Sequence, residues 1–112
     1  MQSKERWRMV KISDDINIIT KEIVEDVLEL FKEKVYKIVL YGSYARGDFT
    51  KESDVDIMIL LNCDKEEVKQ YRKEISRLAS RIGLKNDIEI SLLLRDSIIG
   101  TVRRTFVIII LC

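Results

Sequence analysis

At 112 residues the chain is sized for a single domain, residues 1–112, which can bury roughly two-thirds of its unfolded surface in one core without covalent staples. Hydrophobic residues make up 46 % and charged residues 35 %, so the chain is globular rather than disordered. A net charge of +1 excludes a broad basic field for duplex DNA or a membrane surface, and the absence of histidine excludes histidine triads and histidine metal ligands. Cys63 and Cys112 are far apart and make no metal pattern. Without a secretion signal, reduced thiols in a cytoplasm are the expectation. No apolar run approaches the roughly 20 residues that span a bilayer.

In chain order, residues 1–13 are mixed and mostly polar. Trp7, Met9, Val10 and Ile12 are candidates for packing, on either a short helix or a strand. From residue 14 to about 34 the apolar residues Ile16, Ile19, Ile23, Val27, Leu30 and Phe31 recur at helical spacing and predict a helix lying on a sheet. Residues 36–41 read as a first core strand, 44–48 as a helical turn, and Thr50-Lys51-Glu52-Ser53 as a polar loop leading into a second strand over 54–61. Asp64 is placed to cap an amphipathic helix, with Glu67 completing a capping box. Val68, Tyr71, Ile75, Leu78, Ala79 and Ile82 form its stripe, and Gly83 reads as its stop. A third strand is predicted over 87–94, a turn at Arg95-Asp96-Ser97, a short helix capped by Asp96 through Arg104, and a final strand over 106–111. The fold class is therefore α/β (α+β), a mixed sheet with helices packed against it. Repeats, low-complexity tracts and linkers are absent.

The chemistry concentrates between residues 39 and 61. The run Ile38-Val39-Leu40-Tyr41 breaks at Gly42-Ser43, and the chain returns in Asp54-Val55-Asp56-Ile57. Side chains alternate along a strand, so Asp54 and Asp56 share a face, with Cα atoms roughly 6.5–7 Å apart. Two such carboxylates repel one another and lose hydration, costs that a hard divalent cation with oxygen ligands relieves. Gly42 permits close approach of a ligand to the backbone. The turn after it offers free N–H groups to an anion, Ser43 adds a hydroxyl, and Arg46 adds a guanidinium fork suited to phosphate.

Tyr41-Gly42-Ser43, ten residues, then Asp54-Val55-Asp56-Ile57 resembles the nucleotidyltransferase superfamily that shares the DNA polymerase β catalytic fold. The wording Gly42-Ser43-Tyr44-Ala45-Arg46-Gly47 with Ser53-Asp54-Val55-Asp56 is most similar to the minimal nucleotidyltransferases, small prokaryotic domains often paired with a HEPN-domain protein as antitoxin and toxin. The resemblance implies a polymerase-β-like core and a third acid between apolar residues on a neighbouring strand. Ile88-Glu89-Ile90 fits that pattern, with Asp87 as competitor on the opposite face.

The expected site is thus Asp54, Asp56 and Glu89 as catalytic and metal-binding acids, with Gly42, Ser43 and Arg46 holding the nucleotide. Two magnesium ions and ATP are implied. The expected reaction moves AMP from ATP to an acceptor hydroxyl, which the resemblance assigns to a tyrosine of a HEPN toxin. Small molecules and RNA ends are the other acceptors. The alternative is a non-catalytic antitoxin that occludes its partner through a surface such as residues 106–111. Homo-oligomerisation stays open.

Overall fold

The computed structural model describes residues 14–96 and 108–111, with side chains described from Ile16 to Asp96. The expectations for residues 1–13, for the short helix after Asp96 and for Phe106 and Val107 lie outside the described residues.

Helix α1, Asp14–Phe31, buries Ile16, Ile19, Ile23, Val24, Val27 and Phe31 along one side, as the spacing predicts. Its end tightens into a 3₁₀ turn, Lys32–Lys34, that feeds β1, Val35–Tyr41. A four-residue helix α2, Ser43–Arg46, follows, and β2 occupies Val55–Leu61. Helices α3, Lys65–Gln70, and α4, Arg72–Asn86, lead to β3, Ile90–Asp96, and β4 is described over Ile108–Leu111.

The four strands order as β3-β2-β1-β4. β1 runs antiparallel to β2 and to β4, whereas β2 and β3 are parallel. A parallel pair cannot be joined by a hairpin, and α3 with α4 supplies the crossover. Ile38, Leu40, Val55, Ile57, Ile59, Leu61 and Leu94 join Ile23, Val27, Val68, Ile75, Leu78 and Ile82 in one apolar cluster, so the helices lie on one face of the sheet. By alternation Tyr41, Asp56, Met58, Ser91, Leu93 and Arg95 belong to the other face. Among the described residues no helix is long and apolar enough to cross a membrane.

Four local expectations are corrected. The helix after Asp64 is two helices, broken at Tyr71 (φ −97°, ψ −1°), whose N–H bonds to Val68 O three residues back. Tyr71 is held there by an edge-on contact with Phe31 at 4.9 Å and by a hydrogen bond from Lys34 Nζ at 3.2 Å. Asp64 does cap α3, accepting from Glu67 N at 2.9 Å, but the Glu67 carboxylate pairs with Lys34 rather than closing a capping box.

Gly83 does not stop α4. It lies buried inside the helix, and a Cβ there would stand 2.7 Å from the Ile88 carbonyl oxygen. The helix ends instead in a Schellman arrangement, with Ile88 N bonded to Gly83 O at 3.0 Å, Asp87 N to Leu84 O at 3.4 Å, and Asp87 left-handed at φ 55°. That turn delays β3 to Ile90. At its other end β3 continues through Arg95 to the buried Asp96, where a turn was expected.

Candidate active site

Gly42 marks the point where β1 turns into α2. Its backbone (φ 81°, ψ −157°) is open to glycine and strained for any residue with a Cβ. A Cβ built on it would lie 2.4 Å from Asp56 Oδ2 and 3.2 Å from Asp56 Cγ. The register explains this contact. Tyr41, the last residue of β1, stands opposite Asp56 in β2, so the next residue must pass beside that carboxylate. The structure therefore joins the two halves of the sequence motif.

In α2 the Gly42 carbonyl accepts from Ala45 N at 3.1 Å and Arg46 N at 3.0 Å, and Ser43 O accepts from Gly47 N at 2.9 Å. The amides of Ser43 and Tyr44, at the start of the turn, have no intrahelical acceptor. Gly47 ends the turn in the left-handed region. Tyr44 is buried and stacks on Phe49 at 4.5 Å, which anchors the turn from below. The following loop bonds to itself. Thr50 N donates to Ser53 Oγ at 2.8 Å, and Ser53 N donates to Thr50 O at 3.1 Å. It delivers Asp54, exposed, immediately ahead of β2.

Burial pushes the Asp56 carboxyl up from the usual range. The neighbouring charge of Asp54 adds to the rise, and Arg46 opposes it. Neither acid takes part in an ion pair with another described residue, while Arg46 Nε bonds to Asp48 Oδ2 at 3.2 Å. A half-buried carboxylate raised by a second carboxylate is a donor set short of positive charge, which fits magnesium. Among the described residues no three acidic, cysteine or histidine side chains gather closely enough to hold a metal by themselves. Glu89 is exposed in the segment before β3 and meets β2 through its backbone, accepting from Val55 N at 3.0 Å. Asp87 is exposed in the turn that ends α4.

Two neighbours were not apparent as site residues in the sequence. Tyr41 faces Asp56 across the β1–β2 pair, and burial and the Asp56 charge both push its hydroxyl pKa up, with Arg95 opposing. The adjacency of Tyr41 to Gly42 is the one sequence signal for it. Arg95 read as a turn residue; it sits in β3 on the Asp56 side of the sheet.

The model of the nucleotidyltransferase domain family matches residues 20–110. A protein of Methanocaldococcus jannaschii, MJ0141, named as a candidate protein adenylyltransferase, is 42 % identical over 83 residues, covering 74 % of this chain and 82 % of that one. The protein adenylyltransferase MntA of Thermococcus cleftensis is 32 % identical over 99 residues, covering 80 % of this chain and 96 % of its own. Among solved structures, a candidate nucleotidyltransferase of Sulfolobus solfataricus superposes with a TM-score of 0.64 at 25 % identity, covering 91 % of this chain and 90 % of that one. With the motif geometry, the family match and these relatives in agreement, the chain belongs to the nucleotidyltransferase domain family and is a nucleotidyltransferase.

Proposed function

We propose that this enzyme transfers AMP from ATP to a tyrosine hydroxyl of a partner protein, and that the partner is a cognate HEPN-domain toxin silenced by the modification. The observation that carries the reading is the contact of Gly42 with Asp56, which sets an anion-accepting turn against a carboxylate pair. The names of the relatives support a protein acceptor, and the sequence resemblance to minimal nucleotidyltransferases supports the toxin.

Ser43, with the first amides of α2, holds the β- and γ-phosphates, and Arg46 leaves Asp48 to join them. Asp54 and Asp56 hold magnesium, with Glu89 proposed as the third acid. When bound, the metal neutralises the triphosphate and lowers the pKa of the acceptor hydroxyl. The tyrosine oxygen bonds to the α-phosphorus, the bond from the α-phosphorus to the bridging oxygen breaks, and pyrophosphate leaves. With no histidine in the chain, the tyrosine proton goes to a carboxylate, Asp56 or Glu89. The use of ATP as donor supports a cytoplasmic site of action.

The test is incubation with α-labelled ATP, magnesium and the cognate partner. Label on a partner tyrosine, lost with Asp56→Asn, is the expected outcome. Inhibition of the partner by unlabelled complex alone, with no pyrophosphate released, would establish occlusion instead.

A further inference from the structure

Asp48 touches the site through Arg46. Arg46 Nε donates to Asp48 Oδ2 at 3.2 Å, and among the described residues this carboxylate is the one ion-pair partner of Arg46. The side chains are 46 % exposed for Arg46 and 64 % exposed for Asp48. Water screens a pair this open, so it holds loosely and yields to a stronger anion.

The pair depends on Gly47. Side chains two positions apart on a helix do not face each other. Arg46 is the last residue of α2, and Gly47 then turns the chain at φ 92°, ψ 3°, the left-handed conformation that ends the helix. The turn brings Asp48 back beside Arg46, where a continued helix would carry it away.

The same guanidinium bears on the catalytic face, since its charge opposes the rise of the Asp56 carboxyl. Arg46 is thus bonded to one carboxylate and acts through space on another. A triphosphate seated between Gly42 and Asp56, the reading on which this inference rests, presents several negative charges to that guanidinium. Asp48 cancels part of the positive charge the triphosphate would meet, and a carboxylate displaced from Arg46 is left beside an anion of its own sign. Both effects oppose nucleotide binding. A monoanion gains little by replacing one carboxylate with another single charge, whereas a polyphosphate supplies more charge and more acceptor oxygens.

We propose that Asp48 sets the nucleotide affinity of this enzyme by competing with the triphosphate for Arg46. The pair reserves Arg46 for polyphosphates and keeps the nucleotide exchangeable between turnovers, an effect exerted mainly on the rate of release. Asp48 is a positioning residue; it acts through Arg46 and takes no part in the chemistry.

The test is titration calorimetry at low salt with magnesium and an ATP analogue whose α–β bridge is a methylene, so that no transfer can occur. Asp48→Asn keeps an oxygen that can accept from Arg46 Nε and removes only the charge. It is expected to bind the analogue about threefold more tightly than wild type, a gain that shrinks as salt rises. Arg46→Gln should bind about tenfold more weakly. In the Arg46→Gln background, Asp48→Asn should give almost no gain, because its partner is gone. Unchanged or weaker binding by Asp48→Asn would overturn the proposal, since a residue that merely supports Arg46 weakens binding when altered. So would an equal gain with and without Arg46, which would mean that Asp48 repels the nucleotide directly, or wild-type affinity in Arg46→Gln. Because no turnover is measured, the expected affinities in all four proteins without AMP transfer to a partner tyrosine would count against the adenylylation reading alone.

Discussion

Replacing Gly42 by alanine probes the contact on which the site is built. Two costs arise, and they fall on different observables. The first is backbone strain, because φ 81° with ψ −157° is a region that residues with a Cβ rarely enter, at about 1–3 kcal/mol. The second is the 2.4 Å approach of the new methyl to Asp56 Oδ2. That atom is the end of a rotatable side chain, so the carboxylate can swing aside, but only by leaving its place beside the turn. Stability should therefore fall by roughly 2 kcal/mol, a Tm drop of about 8 °C for a chain of this size.

Catalysis should fall further, by about a hundredfold or more, since a displacement of about 1 Å in a reacting constellation costs that much. Gly47→Ala is the internal comparison. Gly47 has φ 92°, yet a Cβ there meets nothing within 4 Å. It should lose about 1 kcal/mol of stability from strain and keep magnesium–ATP affinity unchanged. Thermal denaturation and titration calorimetry read both variants. A Gly42→Ala protein that melts within about one degree of wild type and binds magnesium–ATP equally well would refute the argument, as would equal binding losses in the two variants.

Gly83→Ala should destabilise by about 1–3 kcal/mol in urea unfolding, although alanine normally improves a helix, because the methyl would press on the Ile88 carbonyl. In EDTA, Asp56→Asn should raise Tm by roughly 2 °C, since it removes a half-buried charge facing another of the same sign. The sign follows from the direction of the shift. The folded protein holds the Asp56 proton more tightly than the unfolded chain, so this group's penalty is absent below the unfolded pKa and grows as pH rises through the folded one. Wild type should thus lose stability relative to Asp56→Asn as pH rises from about 3.8, and parallel curves across that window would contradict it. Ser43→Ala should weaken magnesium–ATP binding by about 1 kcal/mol, seen calorimetrically; identical affinity would remove the hydroxyl from phosphate binding.

Much of the architecture is legible in the chain because it depends on local periodicity. The stripe from Ile16 to Phe31, the apolar run of β1 and the alternation entering β2 each declare their element, and together they require a sheet covered on one side by helices. The pairing of a Gly-Ser turn with an Asp-x-Asp strand start is likewise local, since ten intervening residues are enough to bring the chain back. The boundaries from residue 64 onward are less legible. The break at Tyr71 depends on Phe31 and Lys34, some 40 positions earlier in the chain, and no window around Tyr71 contains them. Gly83 has the residue type of a helix stop, and only the path of the returning chain at Ile88 turns it into a point of close packing. Once that turn is lengthened, β3 starts at Ile90, and Glu89 and Asp87 stand ahead of the strand rather than within it.

By itself, then, the amino-acid order determines a catalytic pattern: which residues could meet a triphosphate, and in what spacing. Tertiary structure decides which of them do meet, because contact between Gly42 and Asp56 is a property of strand register, the placing of Tyr41 opposite Asp56. The parallel register of β2 and β3, with Asp56 opposite Ser91, decides that Arg95, a turn residue by its neighbours, shares a face with Asp56.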